Sequence, residues 1–432
     1  MEIYIVQPDD TIERIAAKFN ITVERLISDN GLINSNTLVQ GQALVILKPQ
    51  KTYLVKDGDS LSSIADLNGI TLWQLIRLNP FLYNRSYIYP GETLVVSYNT
   101  EKNVITNGFA FCHINRNALI KTLPYLTYLS IFNYRLSKEG DFVTYGVDED
   151  IIMISKNYDT VPLLTISALS PTGELDLDYV YDLLLDNDKQ EKLTIHLLEI
   201  IRTKGFSGVN ALMTNINVDN QNLYIDALSK LSEAIRAAGY IFILTINPNI
   251  QVSNSGLTTY EKLDFESLIK IVDNLIFMQE VWGKNYKPPA PVISVPSMKL
   301  FINDVTKMIP PDLLSVWIPL IGYDWYLPYR NQKSYAISLS LDSTLVLAAE
   351  ESAIIRFDKT SQTPYFNYIA SFNSSPEKHI VWFVDARSID AVNNIIDKNK
   401  LAGATIWNIM NYNQQLWSIM ISRFSIFKQP VK

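Results

Sequence analysis

YIVQPDDTIERIAAKFNITVERLISDNGLI, running from Tyr4 to Ile33, returns as YLVKDGDSLSSIADLNGITLWQLIRLNPFL, from Tyr53 to Leu82. The pairs Tyr4/Tyr53, Val6/Val55, Asp10/Asp59, Ile15/Ile64, Ala16/Ala65, Ile21/Ile70, Leu26/Leu75 and Asn30/Asn79 keep a constant offset of 49 residues. The tails follow as GQALVIL from Gly41 and GETLVV from Gly91, with one residue inserted. A repeat of this period marks two copies of one small structural unit. Tyr4 and Val6 alternate as a strand does, while Ile12, Ile15, Ala16 and Phe19 follow helical spacing. Asp10 and Asp59 stand where a helix N-cap belongs. Each copy therefore reads strand, helix, helix, strand, with domain limits expected at 1–49 and 50–99.

Beyond YNTEKN (98–103), read as a short polar hinge, apolar β-type runs alternate with helical stretches. The runs are NGFAF from Asn107, YLTYLSIF from Tyr125, PLLTISA from Pro162, GVNALM from Gly208, YIFILTI from Tyr240, NLIFMQ from Asn274, LSVWIPLI from Leu314 and GATIWNI from Gly403. Eight strands, most of them followed by a helix, predict an α/β fold, a (β/α)8 barrel over residues 100–432. The segment between Leu327 and Val384 is too long for one connection. With TPYFNYIASF and HIVWFV inside it, it reads as a small α+β insertion, about 327–384.

Composition narrows the function. A net charge of −7 over 432 residues leaves no basic patch for a nucleic-acid partner. Cys112 is the single cysteine, and His113, His196 and His379 are scattered, so neither an intrachain disulfide nor a metal site is expected, and no cofactor motif is present. Cys112 and His113 are neighbours on a strand, which point to opposite faces and make no nucleophile pair. No run approaches the roughly 18–20 apolar residues of a membrane span. The N-terminal MEIYIVQPDD reads straight into a fold without the basic and apolar regions of a signal peptide, so synthesis without an export signal is expected.

The repeated unit resembles the LysM module, a βααβ fold that binds N-acetylglucosamine-containing glycans. The resemblance covers residues 2–48 and 52–97. It implies a sugar groove between two loops, here Asp10-Thr11-Ile12 with Asn30, Leu32 and Ile33 in the first copy. In the second copy the loops are Asp59-Ser60-Leu61 with Asn79, Pro80 and Phe81. Read from the residues alone, the aspartates serve equally well as helix caps and the asparagines as turn residues. Asp9 departs from the glycine usual in the family, which puts the first copy's loop in doubt.

PYLTYLSIFNYR from Pro124, KGFSGVN from Lys204, IPLIGYDWYLPY from Ile318, PYFNYIASF from Pro364 and WFVDARS from Trp382 resemble the family 18 glycoside hydrolases. The likeness is to their LysM-bearing, cortex-lytic branch in bacterial endospores. It covers nearly all of residues 104–432. In that family the fourth strand carries Asp-x-x-Asp-x-Asp-x-Glu, shortened in the spore branch to Gly-Val-Asn-x-Asp-x-Glu. The Glu protonates the leaving oxygen, and the Asp two residues before it orients the substrate's own acetamido group, a substrate-assisted exception to the two-carboxylate mechanism. Here the motif reads Gly208-Val209-Asn210-Ala211-Leu212-Met213-Thr214, with Leu212 and Thr214 in the two carboxylate positions. The family's Met-x-Tyr at strand six becomes Met278-Gln279-Glu280. Other pocket elements implied by the resemblance are kept: Tyr323, Asp324 and Trp325 after strand seven, and Trp407 on strand eight as the floor of a sugar subsite. Asp385 and Arg387 are expected to form a structural ion pair.

Three readings follow. The first is a non-catalytic glycan-binding or scaffold protein of the spore cortex, coat or exosporium, bound to peptidoglycan or another N-acetylglucosamine polymer and built from the mother-cell side. The second is an N-acetylglucosaminidase with a relocated acid, Glu280 acting with Asp324. The third is a coat or exosporium protein whose barrel binds other proteins and no sugar. Missing carboxylates at 212 and 214 favour the first over the second, and a retained Trp407 favours the first over the third.

Overall fold

The computed structural model describes residues 1–32, 38–85, 87–100, 102–136, 141–167, 177–252, 257–279, 286–331, 333–372 and 375–429. Both repeats fold as read. The first pairs Glu2–Ile5 antiparallel to Ala43–Ile46, with helices Ile12–Phe19 and Val23–Asn30 between them. The second pairs Lys51–Leu54 with Thr93–Ser97 around helices Leu61–Leu67 and Leu72–Leu78. Each buries its own small core, Ile15, Leu26 and Leu44 in one and Ile64, Leu75 and Leu94 in the other. The helix caps differ from expectation by one residue. Thr11 and Ser60 cap, accepting from the amides of Arg14 and Ser63. Asp10 and Asp59 instead close the preceding turn, each accepting from the backbone amide three residues earlier and the tyrosine hydroxyl six residues earlier. Asp9 adopts the same left-handed conformation as Gly58, so its turn keeps its shape without the glycine.

Eight parallel strands close into a ring: Lys102–Phe111, Tyr128–Leu136, Val161–Ser167, Gly208–Met213, Ile241–Ile246, Asn274–Phe277, Leu314–Pro319 and Gly403–Trp407. The first strand pairs with both the second and the eighth, which leaves the barrel no open edge. All eight lie within the runs read from the sequence or overlap them. After the seventh strand comes a five-stranded antiparallel sheet crossed by helix Leu341–Glu350. That sheet begins with Gly322–Leu327, so the insertion starts before residue 327, and its last strand ends at Trp382.

The described residues of the segment 98–103 are no hinge. Tyr98 is buried and its hydroxyl accepts from the Arg25 guanidinium, while Lys102 already belongs to the first barrel strand. The modules lie directly against the barrel. Ser418 donates to the Asp29 carbonyl, and Gln415 donates to the Asn30 side chain and the Ala43 carbonyl. Ile355 N–H donates to the Gln40 carbonyl at 3.0 Å. In the second module Tyr125 donates to the Arg77 carbonyl and Trp73 stacks on Tyr158.

Candidate functional site

Strand four carries the positions that the family resemblance marks for the chemistry. Asn210 is fully buried, its amide donating to Ser130 on strand two at 2.9 Å and its carbonyl accepting from Thr245 on strand five at 2.8 Å. Ser130 passes the chain on to Asn107 on strand one. These bonds span the barrel interior, so Asn210 points inward, and by alternation so does Leu212. Met213 points outward, into an apolar space under helices Leu177–Leu185, Asn187–Lys204 and Gln221–Ala237. Leu212 is 1% exposed, and Thr214 is half-buried in the turn that follows the strand.

Aromatic rings crowd the end of strand eight. Trp407, the last residue of strand eight, is 6% exposed and packs against Phe109 at 5.1 Å, Phe111 at 6.3 Å and Phe132 at 6.4 Å between centroids. Met278 is fully buried at the end of strand six. Glu280 and Ile33 lie outside the described residues. Tyr323 and Trp325 are buried together, 5.5 Å apart, and the indole of Trp325 donates to the Lys287 carbonyl. Burial pushes the Tyr323 hydroxyl up to about 12, so it stays protonated.

Asp324 goes elsewhere. It occupies a strand of the inserted sheet, where neighbours face opposite ways, and so turns away from Tyr323 and Trp325. Its carboxylate is 5% exposed and accepts from Tyr368 at 2.7 Å, with His379 Nδ1 at 3.0 Å. Burial and that hydrogen bond to the carboxylate raise the Tyr368 hydroxyl well above its usual value. The expected pocket residue is a structural anchor between three strands. The sequence showed no sign of this partnership, because Tyr368 and His379 are far from it in the chain.

In the modules the asparagines are likewise consumed by the fold. Asn79 is 0% exposed, donates to the Leu75 and Val95 carbonyls and accepts from Val95 N–H. Asn30 makes the same three bonds to Leu26 and Val45. Each clamps its second helix to its last strand. Thr11 and Ser60 are exposed, Leu32, Leu61 and Phe81 half-buried, and Ile12 and Pro80 buried. Asp385 and Arg387 form an ion pair at 2.6 Å, and Arg387 also reaches the Gly41 carbonyl. Cys112 is buried, which pushes its thiol up and disfavours the reactive thiolate.

The polar layer inside the barrel went unremarked in the sequence. Asn107, Ser130, Thr165, Asn210, Thr245, Ser315 and Thr405 are buried in otherwise apolar strands. The signal was present, since every barrel strand carries at least one buried amide or hydroxyl. Among the described residues there is no cluster of metal-binding side chains, and no helix is long and apolar enough to cross a membrane.

A closed parallel ring with an α+β insertion after its seventh strand, preceded by paired βααβ units, defines a modular (β/α)8-barrel protein. The LysM domain model matches residues 4–47 and 53–97, and that of the glycosyl hydrolases family 18 matches residues 170–411. The chain belongs to glycosyl hydrolase family 18 and carries two LysM domains. It is similar to the cortical fragment-lytic enzyme of Bacillus anthracis, 26% identical over 99% of this chain and 100% of the relative. The Bacillus subtilis (strain 168) enzyme of the same name is 27% identical, with full coverage of both. Among solved structures, the Bacillus cereus spore cortex-lytic enzyme SleL is similar over 99% of this chain and 98% of its own, with a TM-score of 0.79 and 27% identity.

Proposed function

We propose that this protein binds N-acetylglucosamine-containing glycan of the spore envelope, peptidoglycan among it, without cleaving it. One observation carries the reading: Leu212 near the end of strand four and Thr214 in the turn after it, an apolar side chain and a hydroxyl, stand where the family's chemistry needs two carboxylates. A threonine does not protonate a glycosidic oxygen at neutral pH, and losing a positioned general acid costs about 10²–10⁴ in rate. Leu212 adds a second loss, since the oxazolinium formed by acetamido attack is cationic and calls for a neighbouring negative charge. The relocated-acid alternative is weakened by Asp324, which is tied to Tyr368 and His379 on the far face of the inserted sheet. It then rests on Glu280 alone.

Purified protein is expected to release no product from N-acetylglucosamine oligomers or cortex fragments while retaining them in a pull-down. Turnover by the unmodified chain that disappears in Glu280→Gln would overturn the proposal in favour of the relocated acid. Retention of other envelope proteins with no glycan bound would favour the scaffold reading.

The name of the Bacillus cereus relative, a spore cortex-lytic enzyme, supports a site of action on the forespore, reached from the mother cell. A fluorescent fusion should ring the forespore during sporulation. Signal confined to vegetative walls or to the medium contradicts this.

A further inference from the structure

A cleft of about 1020 Å³ lies where four parts of the chain converge. One wall is built by the second loops of both modules, with Leu32 from the first and Phe81 from the second. The opposite wall is the inserted helix Leu341–Glu350, presenting Leu345 and Val346. The floor includes Asn411 and Tyr412, from the loop that leaves strand eight a few residues beyond Trp407. The cleft therefore runs from the glycan-facing loops of the modules to the loop bordering the barrel mouth.

We propose that this cleft is a glycan-binding surface in its own right, seating the part of an N-acetylglucosamine polymer that extends past the module loops. The inference rests on the glycan-binding reading above and extends it to the inserted helix and the strand-eight loop. Three features support a sugar polymer as the occupant. The volume stands at the top of the roughly 300–1,000 Å³ typical of ligand sites, more than one sugar ring requires. The lining mixes apolar and aromatic surface (Phe81, Tyr412, Val346) with amides, the combination that meets pyranose faces and acetamido groups. The walls are also fixed to one another. Gln415 bonds the first module, and Tyr412 donates to Gln414, so the floor is held in place before any ligand arrives. Preorganised walls bind a polymer at less ordering cost than mobile ones.

The test uses the full chain and chitin oligomers from the disaccharide to the hexasaccharide, titrated by calorimetry. Val346 is 40% exposed and Asn411 is exposed, so Val346→Arg and Asn411→Arg obstruct the cleft without touching a core, and unchanged melting curves confirm their fold. Affinity of the unmodified chain should rise with oligomer length. In both variants the longest oligomer should bind about tenfold more weakly, a loss of about 1.4 kcal/mol, while the disaccharide binds as before. Equal affinities in variants and parent at every length overturn the cleft but leave glycan binding by the modules standing. Absence of binding at any length, by the parent as well, overturns both proposals.

Discussion

Asp29 ends the second helix of the first module with one carboxylate oxygen 2.7 Å from the Arg25 guanidinium. The other oxygen is buried without a hydrogen-bond partner among the described residues. Burial outweighs the attraction of Arg25 and pushes this carboxyl up to about 6. An unfolded chain releases the same proton near about 3.9. Between those values the folded protein holds a proton that the unfolded one lacks, so this residue makes stability fall as pH rises from about 4 to about 6. Asp29→Asn removes the effect. Denaturant melts across that window should show the variant gaining on the parent by at most about 3 kcal/mol, whatever constant offset comes from unpairing Arg25. A parent-to-variant difference that stays flat from pH 4 to pH 7 contradicts the assignment. Asp29 drew no notice in the sequence because its burial is created by residues 418 and 98, distant in the chain. Leu212 and Thr214 drew notice for the opposite reason: the resemblance attaches a meaning to a local spacing of two along one strand.

At the scale of elements the barrel was nearly all readable. Strands such as GVNALM and YIFILTI are buried on both faces, and the near-continuous apolar runs of a parallel sheet announce that. The module helices were legible from periodicity, but their caps shifted by one residue. An aspartate before a threonine fits either role by composition. Only the turn geometry gives Asp10 and Asp59 to the preceding loop and leaves the caps to Thr11 and Ser60. The insertion was harder. Gly322–Leu327 was read only as residues following strand seven, and its antiparallel partner Ser375–Trp382 lies beyond a helix and three further strands. Which way Asp324 faces was hidden for the same reason, since one residue of alternation decides which face of a sheet a side chain meets.

At the scale of the whole molecule the modules and the barrel share one packed interface. Gly41 shows how close the fit is: a Cβ there would stand 2.0 Å from the Ile355 carbonyl oxygen, on a backbone with φ of +85°. Gly41→Ala must strain the turn and push the module from the insertion. A loss of about 2 kcal/mol or more is expected in denaturant melts, with faster proteolysis between the first module and the rest. Unchanged stability together with unchanged cleavage would show that the contact yields freely. This interface was invisible in the sequence, where YNTEKN has the polar composition of a flexible connector. Tyr98 escapes that reading because its hydroxyl is matched by Arg25, seventy-three positions away.

Because both modules bond the barrel directly, the molecule does not gain a second hold on a polymer by letting one part search while another stays bound. It behaves as a caliper. On the glycan-binding reading proposed above, its jaws are set when the chain folds, so a polymer would be accepted for the pitch at which its recognisable groups recur. Reach plays no part in that choice. Two glycans of equal length but different periodicity, such as one with every sugar bearing an acetamido group and one interrupted by modified residues, present different gauges to the same fixed opening.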